Sequence, residues 1–285
     1  MRFKQLLAIL FAFSLIAAAC GDDDDDSGDA GSSGSCDEVV TKVDGTLTVA
    51  TGETVFPPWM GAGEDDFDDP TTGTGFEGAL VFALADRLGL EVEFVRTGFD
   101  EAIAPGEKDW DFNIQQYTIT ADRDEVVDFS DGYYQVEQAI IGAADNPAAS
   151  ATSLADLQSL RLGAAIGTTS LDYIDSVIEP EGDAQVYDDT AAAKAAFDAG
   201  QVDGIVVDLP TAYFITAVEI TDASVIGVLP RTGDAPEELG MLFEEGSPLV
   251  PCVNEALAAL FADGTIDAIE DEWLNQGGSV PTLSN

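Results

Sequence analysis

Short apolar runs alternate with longer amphipathic stretches along most of the chain. Residues 46–50 form a β-rich run, and residues 76–88 place apolar side chains three and four positions apart, which is helical spacing. Gly89 follows, where a glycine commonly ends a helix, and residues 91–95 return to a strand pattern. A strand, a helix and a strand joined by short links predict a parallel α/β sheet.

The second half of the chain repeats this alternation. The predicted elements are strand 162–166, helix 171–178, strand 185–187, helix 190–199, strand 204–207 and helix 210–217. Ser153 and Asp156 have the spacing of a helix-capping box. With 285 residues and 46% apolar side chains, the chain can build one large core or two of medium size, and the repeated pattern favours two lobes.

The N-terminal segment has the features of an export signal. Residues 1–20 begin with basic side chains and continue as an apolar run to Ala19, which is too short to span a bilayer but fits a signal peptide. Cys20 then resembles the modified cysteine of a bacterial lipobox and is our predicted lipid anchor. Ala17 stands where leucine is usual, which leaves ordinary cleavage open. Residues 21–36, rich in Asp, Gly and Ser, predict a flexible acidic tether.

Two further cysteines remain once Cys20 is assigned to lipid. An even pair in an exported protein predicts a disulfide, here between Cys36 and Cys252. Cys252 begins the first of two predicted C-terminal helices, so the bond would hold that tail to the start of the fold.

The chain would therefore leave the first lobe, build the second and return. We expect residues 37–135 and 239–285 to form lobe 1 and residues 136–238 to form lobe 2. Two crossings between them make a hinge of two segments.

The charge balance excludes several classes of function. The chain has 55 Asp and Glu residues, 10 Lys and Arg residues and no histidine, for a net charge of −45. Nothing would neutralise nucleic-acid phosphates, so we expect no nucleic-acid partner. Histidine-based triads and imidazole metal sites are also excluded, and we expect neither a metal nor a cofactor.

Because basic residues are so rare, Arg123 is the first candidate for ligand chemistry. It follows a turn that contains Thr118 and Thr120. A guanidinium matches a carboxylate with two parallel hydrogen bonds, and neighbouring hydroxyls can complete a socket for a small anion. The alternative is a surface ion pair with Asp122 or another aspartate nearby.

Other candidates lie at predicted strand ends, where α/β folds bind ligands. Phe56 and Trp59 follow the first strand, with core packing as the alternative role. Asp208 ends strand 204–207, and its alternative is to cap the next helix. Backbone N–H groups of residues 167–170, at a predicted helix start, could hold an anion.

Several stretches together identify a family. They are L-T-V-A-T with F-P-P-W, G-F-E before an amphipathic helix, T-I-T-A-D-R with V-D-F-S-D-G-Y-Y, then L-A-D-L, G-T-T-S, Q-V-D-G-I-V-V-D-L-P and N-E-A-L-A-A-L-F-A-D-G-T. With these stretches, nearly the whole mature chain resembles bacterial extracellular solute-binding proteins of family 3, the polar amino-acid-binding proteins of ABC importers. The resemblance implies the type II periplasmic-binding-protein fold, in which two α/β lobes close over one ligand.

The same resemblance implies roles for individual residues. Arg123 would clamp the α-carboxylate of an amino acid, with help from Thr118 and Thr169. Asp208 would take the α-ammonium group, assisted by backbone carbonyls near Gln116. One guanidinium and one carboxylate fit a zwitterion, because each buried charge then finds a partner.

The walls and the far end of the pocket follow from the resemblance as well. Phe56 and Phe99 fall where the family sandwiches the aliphatic part of the ligand. Glu53 lies near the position from which basic-amino-acid binders contact a cationic side chain, although an extra residue shifts the register. Gln116 and Tyr117 replace a residue that is often small, which predicts a narrower or more polar pocket. A polar or basic amino acid is favoured.

The expected function is therefore that of an extracytoplasmic substrate-binding lipoprotein. Its partners would be a free amino acid, the permease of an ABC importer and, through the lipid, the outer face of the cell membrane; a periplasmic location is the alternative. We expect a monomer without catalytic activity. The competing hypothesis is an enzyme similar to cyclohexadienyl dehydratase on the same fold, with a cleft carboxylate such as Glu53 as acid or base.

Overall fold

A computed structural model describes residues 35–36, 38–61, 67–274 and 278–285. The predicted signal peptide, the lipid anchor Cys20 and nearly all of the predicted tether lie outside these residues. Within the described ranges, the helices are too short or too polar to cross a membrane.

The described residues alternate between strands and helices. The strands are β1 (Thr46–Gly52), β2 (Glu91–Thr97), β3 (Phe112–Asn113), β4 (Asp128–Phe129), β5 (Tyr134–Val136), β6 (Gln138–Ala143), β7 (Leu162–Ala165), β8 (Gln185–Tyr187), β9 (Gly204–Asp208), β10 (Ala223–Val228), β11 (Glu237–Leu239) and β12 (Leu242–Phe243). The α-helices are α1 (Phe76–Leu88), α2 (Phe99–Ile103), α3 (Ala121–Asp124), α4 (Leu154–Leu157), α5 (Thr169–Tyr173), α6 (Thr190–Asp198), α7 (Leu209–Phe214), α8 (Val250–Ala262) and α9 (Thr265–Trp273). Short 3-10 turns cover Pro70–Thr72 and Pro147–Ser150, and π-helical turns at Ile174–Ile178 and Ile215–Glu219 extend α5 and α7.

The apolar periodicity locates β1, β2, β7, β8, β9 and the helices next to them, but β3–β6 and β10–β12 were not predicted. Helix α1 has the predicted limits, and Gly89 ends it in a left-handed conformation with φ of 72°. Strands β1 and β2 each extend two residues beyond the prediction. The capping box of Ser153 and Asp156 is confirmed, because each side chain accepts a hydrogen bond from the other residue's backbone.

Two five-stranded sheets form the centres of the two lobes. Their strand orders are β2-β1-β3-β12-β4 in lobe 1 and β10-β6-β9-β7-β8 in lobe 2. The predicted parallel pairing of β1 and β2 is confirmed, and β7 is parallel to both β8 and β9. By contrast, β12 and β6 are antiparallel to their neighbours. Each of these strands is the first to enter its sheet after the chain has crossed from the other lobe.

Each sheet is covered by apolar side chains on both faces. In lobe 1, the larger cluster is built around Trp59, Phe76 and Phe112, which are fully buried between the sheet and helices α1 and α8. In lobe 2, Ile140 and Ile141 of β6 point into separate clusters on opposite faces, as alternation along a strand requires. Because both faces are buried, the ends of the strands are the places available to a ligand.

Strands β5 and β11 lie at the two crossings between the lobes, where the hinge segments were predicted. They pair in antiparallel register, with Tyr134 opposite Leu239. The predicted disulfide between Cys36 and Cys252 is confirmed, and their Cα atoms lie 4.5 Å apart. Cys252 is buried in the lobe 1 core, so the bond fastens the start of the fold to α8.

The last residues correct the predicted lobe boundaries, which assigned all of 239–285 to lobe 1. Thr282 forms a bridge with Val228 and Ser284 forms one with Ser153, both in lobe 2. Leu283 is buried in a lobe 2 core cluster, against Gly227, where a Cβ atom would lie 2.7 Å from the leucine. A short segment with one buried apolar residue has no periodicity, so sequence alone could not place it.

Candidate ligand-binding cleft

A cavity of about 340 Å³ lies between the two lobes. The carboxyl ends of β1, β7 and β9 form part of its wall, as expected for an α/β fold. All the residues predicted to bind ligand line this cavity. They are Glu53, Phe56, Phe99, Gln116, Thr118, Arg123, Thr169 and Asp208. A volume of this size suits a small molecule.

Arg123 is buried in the wall of the cavity, with 8% of its surface exposed. It lies in α3, where the Thr120 hydroxyl caps the helix by accepting from the Arg123 backbone N–H. Its Nη1 donates to the carbonyl of Thr118 at 2.6 Å, and its Nη2 donates to the carbonyl of Gly167 in lobe 2 at 2.8 Å. The guanidinium carbon lies 5.5 Å from the centre of the Phe99 ring, a cation–π distance.

The predicted alternative for Arg123, a surface ion pair, is wrong. Of the carboxylates in the described residues, none lies within 4.0 Å of this guanidinium. Burial lowers the pKa of Arg123, because desolvation disfavours a charged group. The structure thus keeps a desolvated cation that the described carboxylates leave without a direct ion pair.

Hydroxyl groups from both lobes meet beside this arginine. The Oγ1 atoms of Thr118 and Thr169 are 3.2 Å apart across the cleft. Thr168 caps α5 by accepting from the backbone N–H of Leu171. Gln138 also donates to the Thr169 hydroxyl at 3.1 Å. The predicted turn at residues 167–170 therefore lies next to Arg123 in the closed cleft.

Asp208 both lines the cavity and caps a helix, so its two predicted roles coexist. Its Oδ1 accepts from the backbone N–H of Thr211 at 2.9 Å and from the Trp59 indole at 3.0 Å. Burial raises the pKa of Asp208 even though these hydrogen bonds favour the ionised form. A cationic group in the cavity would therefore stabilise this carboxylate.

The aromatic residues divide between wall and core. Phe56 lines the cavity and meets the ring of Phe214 edge-on across the cleft, with centroids 6.0 Å apart. Trp59 is fully buried in lobe 1, as its alternative role predicted. Tyr117 is also buried and stacks on Phe99 at 4.5 Å, so it supports that ring and is absent from the described cavity lining.

Glu77 is a buried carboxylate that the sequence analysis missed. It accepts hydrogen bonds from the Gln116 backbone at 2.9 Å, from the Gln116 side chain at 2.5 Å and from the Tyr133 hydroxyl at 2.5 Å. Burial raises the pKa of Glu77 to about 7. It holds Gln116 at a φ of 53°, where side chains are rarely found. Its position three and four residues before Leu80 and Val81 could have indicated burial.

The mouth of the cleft is acidic. Glu53 of lobe 1 and Asp188 and Asp189 of lobe 2 line the cavity and are exposed. Asp189 also caps α6 by accepting from the backbone N–H of Ala192. Among the described residues, no cluster of three Asp, Glu or Cys side chains is arranged to hold a metal ion.

Known proteins with similar sequences and structures share this architecture. The model of the bacterial extracellular solute-binding proteins, family 3, matches residues 47–276. The L-cystine-binding protein TcyJ of Escherichia coli strain K12 is 29% identical over 234 residues, covering 80% of this chain and 82% of the relative.

Solved structures agree with this match. An ancestral arginine-binding protein bound to arginine is 31% identical, with a TM-score of 0.69, and the match covers 80% of this chain and 98% of the other. The ancestral amino-acid-binding protein AncCDT-1, a precursor of cyclohexadienyl dehydratase, is 29% identical with a TM-score of 0.69 over 81% and 96% of the two chains. The predicted type II periplasmic-binding-protein fold is thereby confirmed. The chain belongs to the bacterial extracellular solute-binding proteins, family 3.

Proposed function

We propose that this protein binds a free L-amino acid between its lobes and delivers it to the permease of an ABC importer. The observation that carries the proposal is the buried guanidinium of Arg123 in a cavity that also contains Asp208 on the opposite lobe. One fixed cation from lobe 1 and one fixed anion from lobe 2 in the same cavity match the two charges of an amino acid. The similar proteins named above bind amino acids, which supports this substrate class.

Arg123 has hydrogen-bonding capacity left for the α-carboxylate. Two of the five N–H donors that a guanidinium carries are used by the carbonyls of Thr118 and Gly167. The Thr118 hydroxyl is placed to add a neutral donor beside the guanidinium, and the Thr169 hydroxyl, which donates to Glu237 at 3.3 Å, can join it by turning. The ligand carboxylate would then neutralise a charge that was costly to bury.

A ligand with a polar or cationic side chain fits the acidic mouth of the cavity best. Glu53, Asp188 and Asp189 line that mouth. Among the described residues that line the cavity, Arg123 is the only Lys or Arg. L-cystine, the ligand named for one relative, ends in a second zwitterion, so a distal carboxylate as well as a distal ammonium group would face these acidic side chains. Like charges in a cleft repel, so we favour a ligand with a distal cation or neutral polar group.

The match to extracellular solute-binding proteins supports an extracytoplasmic location. A lipid on Cys20, which resembles a lipobox cysteine, would hold the protein at the membrane. Expression of the full chain in a bacterial host should place it in the membrane fraction, and Cys20→Ser should release it. Equal release of both forms would contradict the lipid anchor.

Calorimetry against the twenty amino acids tests the function directly. We expect micromolar or tighter binding of at least one ligand with a polar or cationic side chain. Arg123→Ala should cost at least about 3 kcal/mol of binding free energy, because hydrogen bonds to charged groups contribute roughly 1.5 to 3 kcal/mol each. Arg87→Ala is the control, since Arg87 pairs with Asp263 on the surface of lobe 1.

Asp208→Asn should weaken binding of amino acids and spare simple carboxylates of the same shape. An equal loss for both ligand types would reject the role of Asp208. No heat with any amino acid, together with turnover of prephenate or arogenate, would instead favour the dehydratase-like enzyme.

A further inference from the structure

Trp59 belongs to lobe 1 but makes a polar contact with lobe 2. The residue is fully buried in lobe 1, yet its indole N–H lies 3.0 Å from Asp208 Oδ1 and 3.0 Å from Thr211 Oγ1 of lobe 2. Its ring is held by edge contacts with Phe76 at 5.8 Å and Tyr134 at 5.3 Å. A rigidly packed lobe 1 side chain therefore donates to the carboxylate that faces the cavity.

This hydrogen bond joins the two lobes, so it requires Trp59 and the start of α7 to stay in contact. Asp208 keeps its bond to the backbone N–H of Thr211 in any arrangement, because both belong to the first turn of α7. The bond from Trp59 depends on the other lobe. Separation of the lobes would leave the Asp208 carboxylate with the backbone and side-chain hydrogen bonds of Thr211, and so with fewer restraints on its direction.

We propose that Trp59 is a positioning residue that orients Asp208 towards the α-ammonium group of the ligand, so that recognition of the amine is completed only when the lobes close. The inference rests on the proposed amino-acid-binding function and assigns part of its selectivity to a residue absent from the described cavity lining. Trp59 donates a neutral hydrogen bond to Oδ1, which fixes the carboxylate while leaving its negative charge for the ligand. If Trp59 only packed the core, its substitution would weaken ligands with and without an amine to the same extent.

The chain offers a matched pair of substitutions to test this. Trp59→Phe removes the indole N–H and keeps an aromatic ring in the lobe 1 core. Trp110→Phe is the control, because Trp110 is a buried tryptophan of the same lobe. It packs in a different core cluster from Trp59. Both proteins are titrated by calorimetry with the amino acid that wild type binds most tightly and with its des-amino analogue, which keeps the carboxylate and side chain.

Trp59→Phe should weaken the amino acid by about 10- to 100-fold, as expected for a hydrogen bond to a charged group, and the des-amino analogue by less than about 3-fold. Trp110→Phe should leave the ratio of the two affinities unchanged. In an Asp208→Asn background, Trp59→Phe should produce no further loss of amino-acid affinity. An equal loss for both ligands, or no loss for either, would overturn the proposal.

A measurement on the unmodified protein covers the case in which Trp59→Phe does not fold. The chain has three tryptophans, so ¹⁵N-labelled protein gives three indole resonances, which the Trp110→Phe variant helps to assign. Saturation with the amino acid should move the Trp59 indole proton downfield and slow its exchange with water. An unchanged Trp59 resonance would refute the inference, whereas absence of any binding by wild type would refute the proposed function first.

Discussion

Replacing Gly167 with alanine tests whether the two lobes meet at this residue when a ligand is bound. Gly167 lies between β7 and α5 in lobe 2, with φ of +71°. A methyl group there would overlap Oδ1 of Asp100 on α2 of lobe 1 and lie 3.2 Å from its Cγ. The substitution therefore has two separable effects, one on the backbone of lobe 2 and one on closure.

The backbone effect is a loss of stability. A non-glycine residue in the left-handed region costs roughly 1–2 kcal/mol, and this cost applies whether or not the lobes touch. Gly200→Ala is a matched control, because Gly200 is also in lobe 2, has φ of +68°, and has no atom within 4 Å of the position its Cβ would take. Urea unfolding without ligand should show similar losses for both variants.

The closure effect is a loss of affinity. The Asp100 carboxylate is the end of an exposed side chain and can turn away, at about 0.5–1.5 kcal/mol for a displaced rotamer, which is a roughly 2- to 10-fold weaker Kd. Gly167→Ala should show this loss in calorimetry and Gly200→Ala should not. Adding Asp100→Ala to Gly167→Ala should restore the affinity without restoring stability. If Gly167→Ala binds as tightly as Gly200→Ala, the closed arrangement described here is not the ligand-bound one.

Three further changes test other parts of the structure. Because the pKa of Glu77 is raised from 4.5 to about 7, its contribution to stability is full below about pH 4.5 and lost as the pH rises through about 7. The difference in unfolding free energy between wild type and Glu77→Gln should fall by about 3 kcal/mol over that range, and a constant difference would contradict the shift. Cys36→Ser opens a loop with a sequence separation of 216 residues, so thermal melting should show a loss approaching 5 kcal/mol, matched by wild type under reducing conditions. Leu283→Ala should cost about 2 kcal/mol or more in urea unfolding, and a negligible cost would mean that the tail does not pack on lobe 2.

Local sequence signals located the longer helices and five of the twelve described strands, because each of these has its own periodicity or cap. Helix α1 begins at Phe76 and ends before Gly89 as the apolar spacing and the glycine require. The Ser153 capping box and the pairing of Cys36 with Cys252 were equally readable, since both depend on a few residues of characteristic type. The C-terminal segment around Leu283 carried no such signal.

The residues of the candidate site could be predicted from sequence, but their contacts could not. Arg123 and Asp208 could be selected from sequence, because a rare guanidinium beside hydroxyl groups and a carboxylate at a strand end are chemically distinctive. Their ligand contacts stay a prediction. Local chemistry also suggested a surface ion pair for Arg123, and only the packing of both lobes showed its guanidinium bonded to the carbonyls of Thr118 and Gly167.

The sequence by itself predicted β1, β2, β7, β8 and β9 with the helices between them, the two-lobe organisation and a candidate set of ligand-binding residues, because these depend on residues close together in the chain or on stretches shared with a family. Tertiary structure alone decided that Glu77 anchors Gln116, that Trp59 donates to Asp208 and that the final residues join lobe 2. These contacts join positions up to 149 residues apart. Their partners are chosen by tertiary packing within and between the lobes, which no local pattern of hydrophobic and polar residues records.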